Sequence, residues 1–120
     1  GIILSGGPAS VYDEDAPISD AGTFDLDIPV LGICYGAQLM MQQLGGRVER
    51  AEKREFGKAD LNIDYTAGIF AGMETAPTLY QVWMSHGDRI EEAAPGFVAT
   101  ASSSHSPFAA LRHRDKPFVA

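Results

Sequence analysis

The feature that most constrains this chain is the run Val30-Leu31-Gly32-Ile33-Cys34-Tyr35-Gly36-Ala37-Gln38-Leu39-Met40. Its first residues are apolar and β-prone, and its last follow a helical period. The lone cysteine stands between glycines two positions away on each side. That is the pattern of a nucleophile elbow with Cys in the place of Ser. A sharp strand-to-helix turn leaves no room for side chains at the flanking positions, so glycine there is a steric requirement. The same spacing predicts a sparsely populated backbone conformation at Cys34. A thiol at a helix N-terminus meets the positive end of the macrodipole, which favours the nucleophilic thiolate. The Tyr35 amide is placed to donate to a developing oxyanion. A lone Cys in a strand is otherwise a small core hydrophobe, and a chain with 13 glycines meets this pattern by chance as well. The apolar run on one side and the helix on the other favour the nucleophile.

The helix is the best-defined element. Ala37, Met40, Met41 and Leu44 recur at i, i+3, i+4 and i+7, and Gly45-Gly46 supplies the stop. Gln38, Gln42 and Gln43 lie off that stripe. Gln38 is one turn beyond Cys34 on the same side, so it either reaches a bound substrate or faces solvent.

Gly1-Ile2-Ile3-Leu4-Ser5 reads as a buried strand of a parallel sheet. Gly6-Gly7-Pro8 ends it, either as a loop of amides for an anion or oxyanion or as a plain strand-ending turn. Residues 9–27 are polar and acidic, with a short helix expected from Ala16 to Phe24. Asp13, Glu14, Asp15, Asp20, Asp25 and Asp27 form a solvated face and not a metal site, since no His or Cys lies among them and the spacing is not that of a calcium loop.

Lys58 to Asp64 alternates, with Ala59, Leu61 and Ile63 inward, as in one strand of an antiparallel ribbon. Residues 66–78 read as a loop with one helical turn. Leu79 to Met84 is a strand leading into Ser85-His86-Gly87-Asp88. Adjacent residues cannot form a triad, whose members converge from separate elements. The run is therefore a polar turn with a locally bonded His86 or, as preferred here, a loop contacting substrate. Phe97 to Ala101 and Phe108 to Arg112 read as strands joined by an exposed turn, and Pro117 to Ala120 begins another. His105 and His113 read as surface residues.

A length of 120 residues with 45% hydrophobic and 21% charged content suits one packed domain or part of one. A net charge of −7 argues against sequence-independent nucleic-acid binding. One cysteine rules out an intrachain disulfide and fits a reducing cytoplasm. No run approaches the ~20 apolar residues of a membrane helix, so neither nucleic acid nor membrane is an expected partner. Strand, loop, strand, elbow and helix predict a βαβ layout with a parallel sheet. Ligands of such sheets bind outside the carboxyl ends of the strands, where Gly6-Gly7-Pro8 and Cys34 both fall.

With these pieces assembled, the chain resembles the class I glutamine amidotransferases over essentially its whole length. Gly1 to Val11 looks like their oxyanion-loop segment and Val30 to Met40 like their elbow. Arg54-Glu55-Phe56-Gly57-Lys58-Ala59 and Val82-Trp83-Met84-Ser85-His86-Gly87-Asp88 resemble the branch that supplies ammonia for ATP-dependent amination of XMP to GMP. The resemblance implies an α/β, flavodoxin-like fold: a mostly parallel sheet flanked by helices, with an antiparallel section in the second half. It implies Cys34 as the nucleophile attacking the glutamine side-chain amide, Gly6, Gly7 and the Tyr35 amide as the oxyanion site, and Gln38, Ser85, His86 and Gly87 as the glutamine-holding residues. It implies no cofactor in this chain. ATP and Mg²⁺ serve an ATP-pyrophosphatase synthetase domain, in the same or a partner chain, within a homo-oligomeric enzyme.

The sequence departs from that pattern at both ends. The family's first strand and helix precede the segment matching Gly1. Its His-Pro-Glu run, with the base and its orienting carboxylate, follows the segment matching Lys116 to Ala120. Residues 1–120 therefore read as a partial amidotransferase domain without the synthetase domain, expected to be inactive by itself because the triad His and Glu are missing. Rival readings are another class I amidotransferase, of the anthranilate, carbamoyl-phosphate or CTP synthase type, a Cys-type α/β hydrolase, and a non-catalytic interaction domain lacking the base.

Overall fold

The computed structural model describes residues 1–74 and 79–120, with the backbone alone over 51–55. Its elements in chain order are β1 (Ile2–Leu4), β2 (Val30–Gly32), α1 (Tyr35–Gln43), β3 (Arg47–Ile63), β4 (Leu79–Glu92), β5 (Phe97–Ser102), β6 (Ala110–His113) and β7 (Phe118–Val119). The seven strands make one mixed sheet in the order β1-β2-β7-β6-β5-β3-β4. The first three in that order are parallel, with Ile2 beside Val30 and Val30 beside Phe118. The remaining pairs are antiparallel. The carboxyl ends of β1 and β2 thus lie side by side and bring Gly6 and Cys34 together. No helix among the described residues is long and apolar enough to cross a membrane.

Helix α1 forms where the apolar stripe predicts it. Met40 and Met41 are wholly buried, and Ala37 joins them in a core with Val30, Val48, Ile90, Leu111 and Phe118. Burying each methionine contributes about 1.5–3 kcal/mol. The helix ends in a Schellman motif: the Gly46 amide bonds the Met41 carbonyl at 2.8 Å and the Gly45 amide that of Gln42 at 3.3 Å. Gly45 takes φ +91°, a conformation that favours glycine. A second core lies under β3–β4, where Leu61, Ile63, Ala101 and Ala110 meet Tyr80, Val82 and Met84.

Several sequence expectations change. The ribbon strand begins at Arg47, not at Lys58. A register shift between Arg50 and Glu55 interrupts its pairing and masks the early alternation in the sequence. Strand β4 runs on through Ser85–Asp88 to Glu92, so that run is ladder and not a loop or turn. Strand β1 lies at the sheet edge with Ile3 66% exposed, so it is not a buried strand. The segment expected as a helix from Ala16 is instead a single 3₁₀ turn, Ala21–Asp25, capped by the Asp20 carboxylate on the Gly22 amide at 2.8 Å. Pro17 accounts for this: it lacks a donor and disfavours helical geometry at Ala16.

The helical turn in 66–78 is Gly68–Phe70, and 75–78 lie outside the described residues. The turn joining β5 to β6 is not wholly exposed, because Ser106 is buried where Ser103 and Ser106 bond each other. His113 is half-buried, not a surface residue. Its ring packs edge-on against Phe97, and its Nδ1 accepts from the amides of Asp115 and Lys116 at 3.0 Å.

Candidate active site

Cys34 sits where β2 becomes α1, with φ +50° and ψ −112°. A non-glycine residue in that region carries strain of about 1–3 kcal/mol, sustained by its surroundings. Those surroundings are the two flanking glycines. A Cβ on Gly32 would lie 2.8 Å from Ala37 Cα, and one on Gly36 would run into the Leu4 carbonyl. Helix and strands therefore approach so closely at the elbow that only hydrogen fits. The thiol is exposed to the solvent side. Tyr35 opens the helix, so its amide has no intrahelical acceptor.

Beside Cys34 opens a cavity of about 830 Å³. Gly6, Gly7, Cys34, Tyr35, Gln38, Ser85, His86 and Gly87 all line it, so the sequence-predicted site residues converge from the β1 loop, the elbow, α1 and β4. Gly6 is close enough that a Cβ there would meet Cys34 Cβ at 3.3 Å. Behind the thiol lies a second, apolar groove of about 330 Å³ between α1 and the ribbon.

Gln38 does not face solvent. It is buried, and its Nε2 donates to the Asp88 carbonyl at 3.0 Å, tying α1 to β4. Asp88 itself is 8% exposed, and its carboxylate accepts from Ser10 Oγ at 2.5 Å. Asp13 pairs with Arg50 at 3.8 Å on the cavity rim. Tyr35 donates its hydroxyl to the Pro17 carbonyl. Burial first, and the Asp13 charge second, push that phenol above its ordinary value of 10.0.

Sequence reasoning missed Ser10, Asp13, Arg50 and Phe56 as cavity residues, and it included Asp88 only as the last member of a run expected to be a substrate-contacting loop. For Asp88 a signal existed. The period-2 alternation that turns Tyr80, Val82 and Met84 inward, carried past His86, places Asp88 and Ile90 on the same inner face. Ser10 had no such signal, because only the path of the loop brings it across the cavity. His105 is exposed and lines neither cavity, and His113 is used in packing, whereas His86 lines both.

The chain matches known proteins along its length. The family model described as glutamine amidotransferase class-I covers residues 1–120. The GMP synthase (glutamine-hydrolyzing) of Desulfotalea psychrophila is 67% identical over 120 residues, which are 100% of this chain and 23% of that protein. That of Heliobacterium modesticaldum is 58% identical over 111 residues, 92% of this chain and 21% of that protein. The chain thus spans under a quarter of the length of these relatives. A Thermoplasma acidophilum crystal structure, described as one of a GMP synthase component, superposes with a TM-score of 0.74 at 32% identity, covering 80% of this chain and 47% of that one. A glutamine amidotransferase from Thermotoga maritima shares the fold with a TM-score of 0.67 at 22% identity, over 78% of this chain and 38% of that one. With all 120 residues matched by the family model, and with the strained cysteine elbow beside its cavity, the chain belongs to the class-I glutamine amidotransferase family.

Proposed function

We propose that this chain is the glutaminase part of a GMP synthase and that it hydrolyses glutamine to supply ammonia for amination of XMP. The observation that carries the reading is the cavity that joins Cys34 to Gly6, Gly7 and Gln38, in a chain 67% identical to a GMP synthase. The Cys34 thiolate attacks the side-chain amide carbon of glutamine. The resulting oxyanion is met by the Tyr35 amide and the Gly6–Gly7 backbone, the usual device for tetrahedral intermediates. The carbon–nitrogen bond breaks, ammonia leaves and a γ-glutamyl thioester remains. Water then cleaves the thioester, which releases glutamate and restores the thiol.

Gln38, Ser85, His86 and Gly87 hold the substrate. The proton for the departing ammonia is assigned to the histidine of the family's His-Pro-Glu run, which these 120 residues do not contain. The ammonia serves an ATP-pyrophosphatase synthetase domain, joined to this one or supplied by a partner chain, in the cytoplasm. The high-identity relatives favour this over the anthranilate, carbamoyl-phosphate or CTP branches.

The test uses the amidotransferase together with its synthetase partner. Cys34→Ala is expected to abolish XMP amination from glutamine while leaving amination from added ammonium salt within about twofold, because a residue that only generates ammonia does not touch the amination step. Equal loss of both activities refutes the division of labour.

A further inference from the structure

We propose that Ser10 is a positioning residue for the oxyanion site, acting as a latch between the β1 loop and β4; this rests on the glutaminase reading above. The loop leaves β1 at Ser5 and passes over the elbow, with Gly6 against Cys34. It then crosses the cavity to reach β4. There Ser10 Oγ donates to the buried Asp88 carboxylate, 78 residues away in sequence. The hydroxyl proton is committed to Asp88, and the oxygen in turn accepts from the Tyr12 amide at 3.3 Å. On the far side Asp88 is held through its carbonyl by Gln38 from the elbow helix. Loop, strand and helix are thus joined through one residue, and the cavity lies inside that closed path.

The stretch from Gly6 to Ser10 is five residues long, and Pro8 within it has a fixed φ. A short, partly stiffened segment passes the position of one end to the other. Gly6 gains its close approach to Cys34 by lacking a side chain, and neither glycine has side-chain contacts with which to hold itself. The latch supplies the hold, and it keeps the loop amides where the oxyanion forms. An oxyanion donor displaced by a fraction of an ångström still allows substrate to bind but stabilises the transition state less. Ser10 therefore acts on turnover and not on affinity.

The experiment measures glutamine-dependent and ammonia-dependent amination by the complete enzyme carrying Ser10→Ala, Ser10→Thr or Cys34→Ala. Ser10→Ala is expected to lower kcat with glutamine about 10- to 100-fold while KM stays within about twofold. The ammonia-dependent rate is expected to be unchanged, and Ser10→Thr, which keeps the hydroxyl, to recover most of the loss. An unchanged kcat, a raised KM with kcat intact, a Thr variant as slow as the Ala variant, or parallel loss of both activities each overturns the latch. Cys34→Ala separates the two claims. If it retains glutamine-dependent activity, the glutaminase reading fails and the latch falls with it. If it is dead with glutamine while Ser10→Ala is normal, the latch alone fails.

Discussion

At the elbow each backbone position is set by direct contact. Gly36 abuts the Leu4 carbonyl, Gly32 abuts Ala37, and the Ile33 amide bonds the Leu4 carbonyl at 2.9 Å. The residues behind it, Met40 and Met41, are fully buried. The β3–β4 ribbon on the opposite wall of the cavity is built differently. It is one sheet layer with an inner face on a small core and an outer face in solvent, where Trp83 is 73% and Leu79 57% exposed. The ribbon is held by a ladder whose register shifts beside the site, between Arg50 and Glu55. The comparison teaches that Cys34 is placed by steric necessity, whereas the opposite wall of the cavity is placed by cross-strand pairing and by a few side-chain bonds that converge on Asp88. The first is intolerant of added volume. The second is intolerant of lost polar partners and indifferent to much of its outer face.

Three substitutions break or sharpen that contrast. The largest effect is expected from Gly36→Val, which drives three carbons into β1. It should destabilise the domain by about 3 kcal/mol or more and remove glutamine-dependent turnover, as followed by thermal unfolding and a glutamate-release assay. A normal melting temperature would show that the elbow yields more readily than its contacts indicate.

A smaller effect is expected at Tyr35. Tyr35→Phe loses the bond to the Pro17 carbonyl, worth about 1 kcal/mol. It also changes the pH dependence in a defined direction. The folded state keeps the phenol proton above the ordinary value of 10.0, where the unfolded chain releases it. The stabilisation from that proton is whole below pH 10.0 and is lost as pH rises through the folded-state value. Unfolding followed from neutral to strongly alkaline pH should therefore show a steeper decline for the parent than for Tyr35→Phe. Parallel curves would remove Tyr35 from the account.

The smallest effect is expected from Trp83→Ala. On the open face of the ribbon it should change stability by less than about 0.5 kcal/mol, read by chemical denaturation. A large loss would mean that this face is packed like the elbow, and the contrast would fail.

The strand-to-helix turn at Cys34, the helix with its stripe and glycine stop, and the inward set Leu61 and Ile63 were legible in the sequence. Each is local: a period, a cap or a steric exclusion within a few residues. The start of β3 at Arg47 was not legible, because charged residues occupy both faces of the ladder up to the register shift. Nor was the continuation of β4 through Ser85–Asp88. Ser, Gly and Asp carry turn propensity, and pairing with β3, Ser85 beside Phe56 and Asp88 beside Arg50, overrides it.

By itself, the sequence determined which residue is strained and why. A side chain at Gly32 is shut out locally, by Ala37 on the helix that follows, whereas at Gly36 the glycine signal in the sequence is explained by Leu4 of the neighbouring strand. Only the tertiary structure decided which residues face that cysteine. The bonds from Gln38 and Ser10 to Asp88 span 50 and 78 residues, and the two ends of each are neighbours only because the parallel strands and the antiparallel ribbon belong to one sheet. Local propensity acts over a few residues, whereas such contacts exist only after the chain has met the entropic cost of closing the long loops between them.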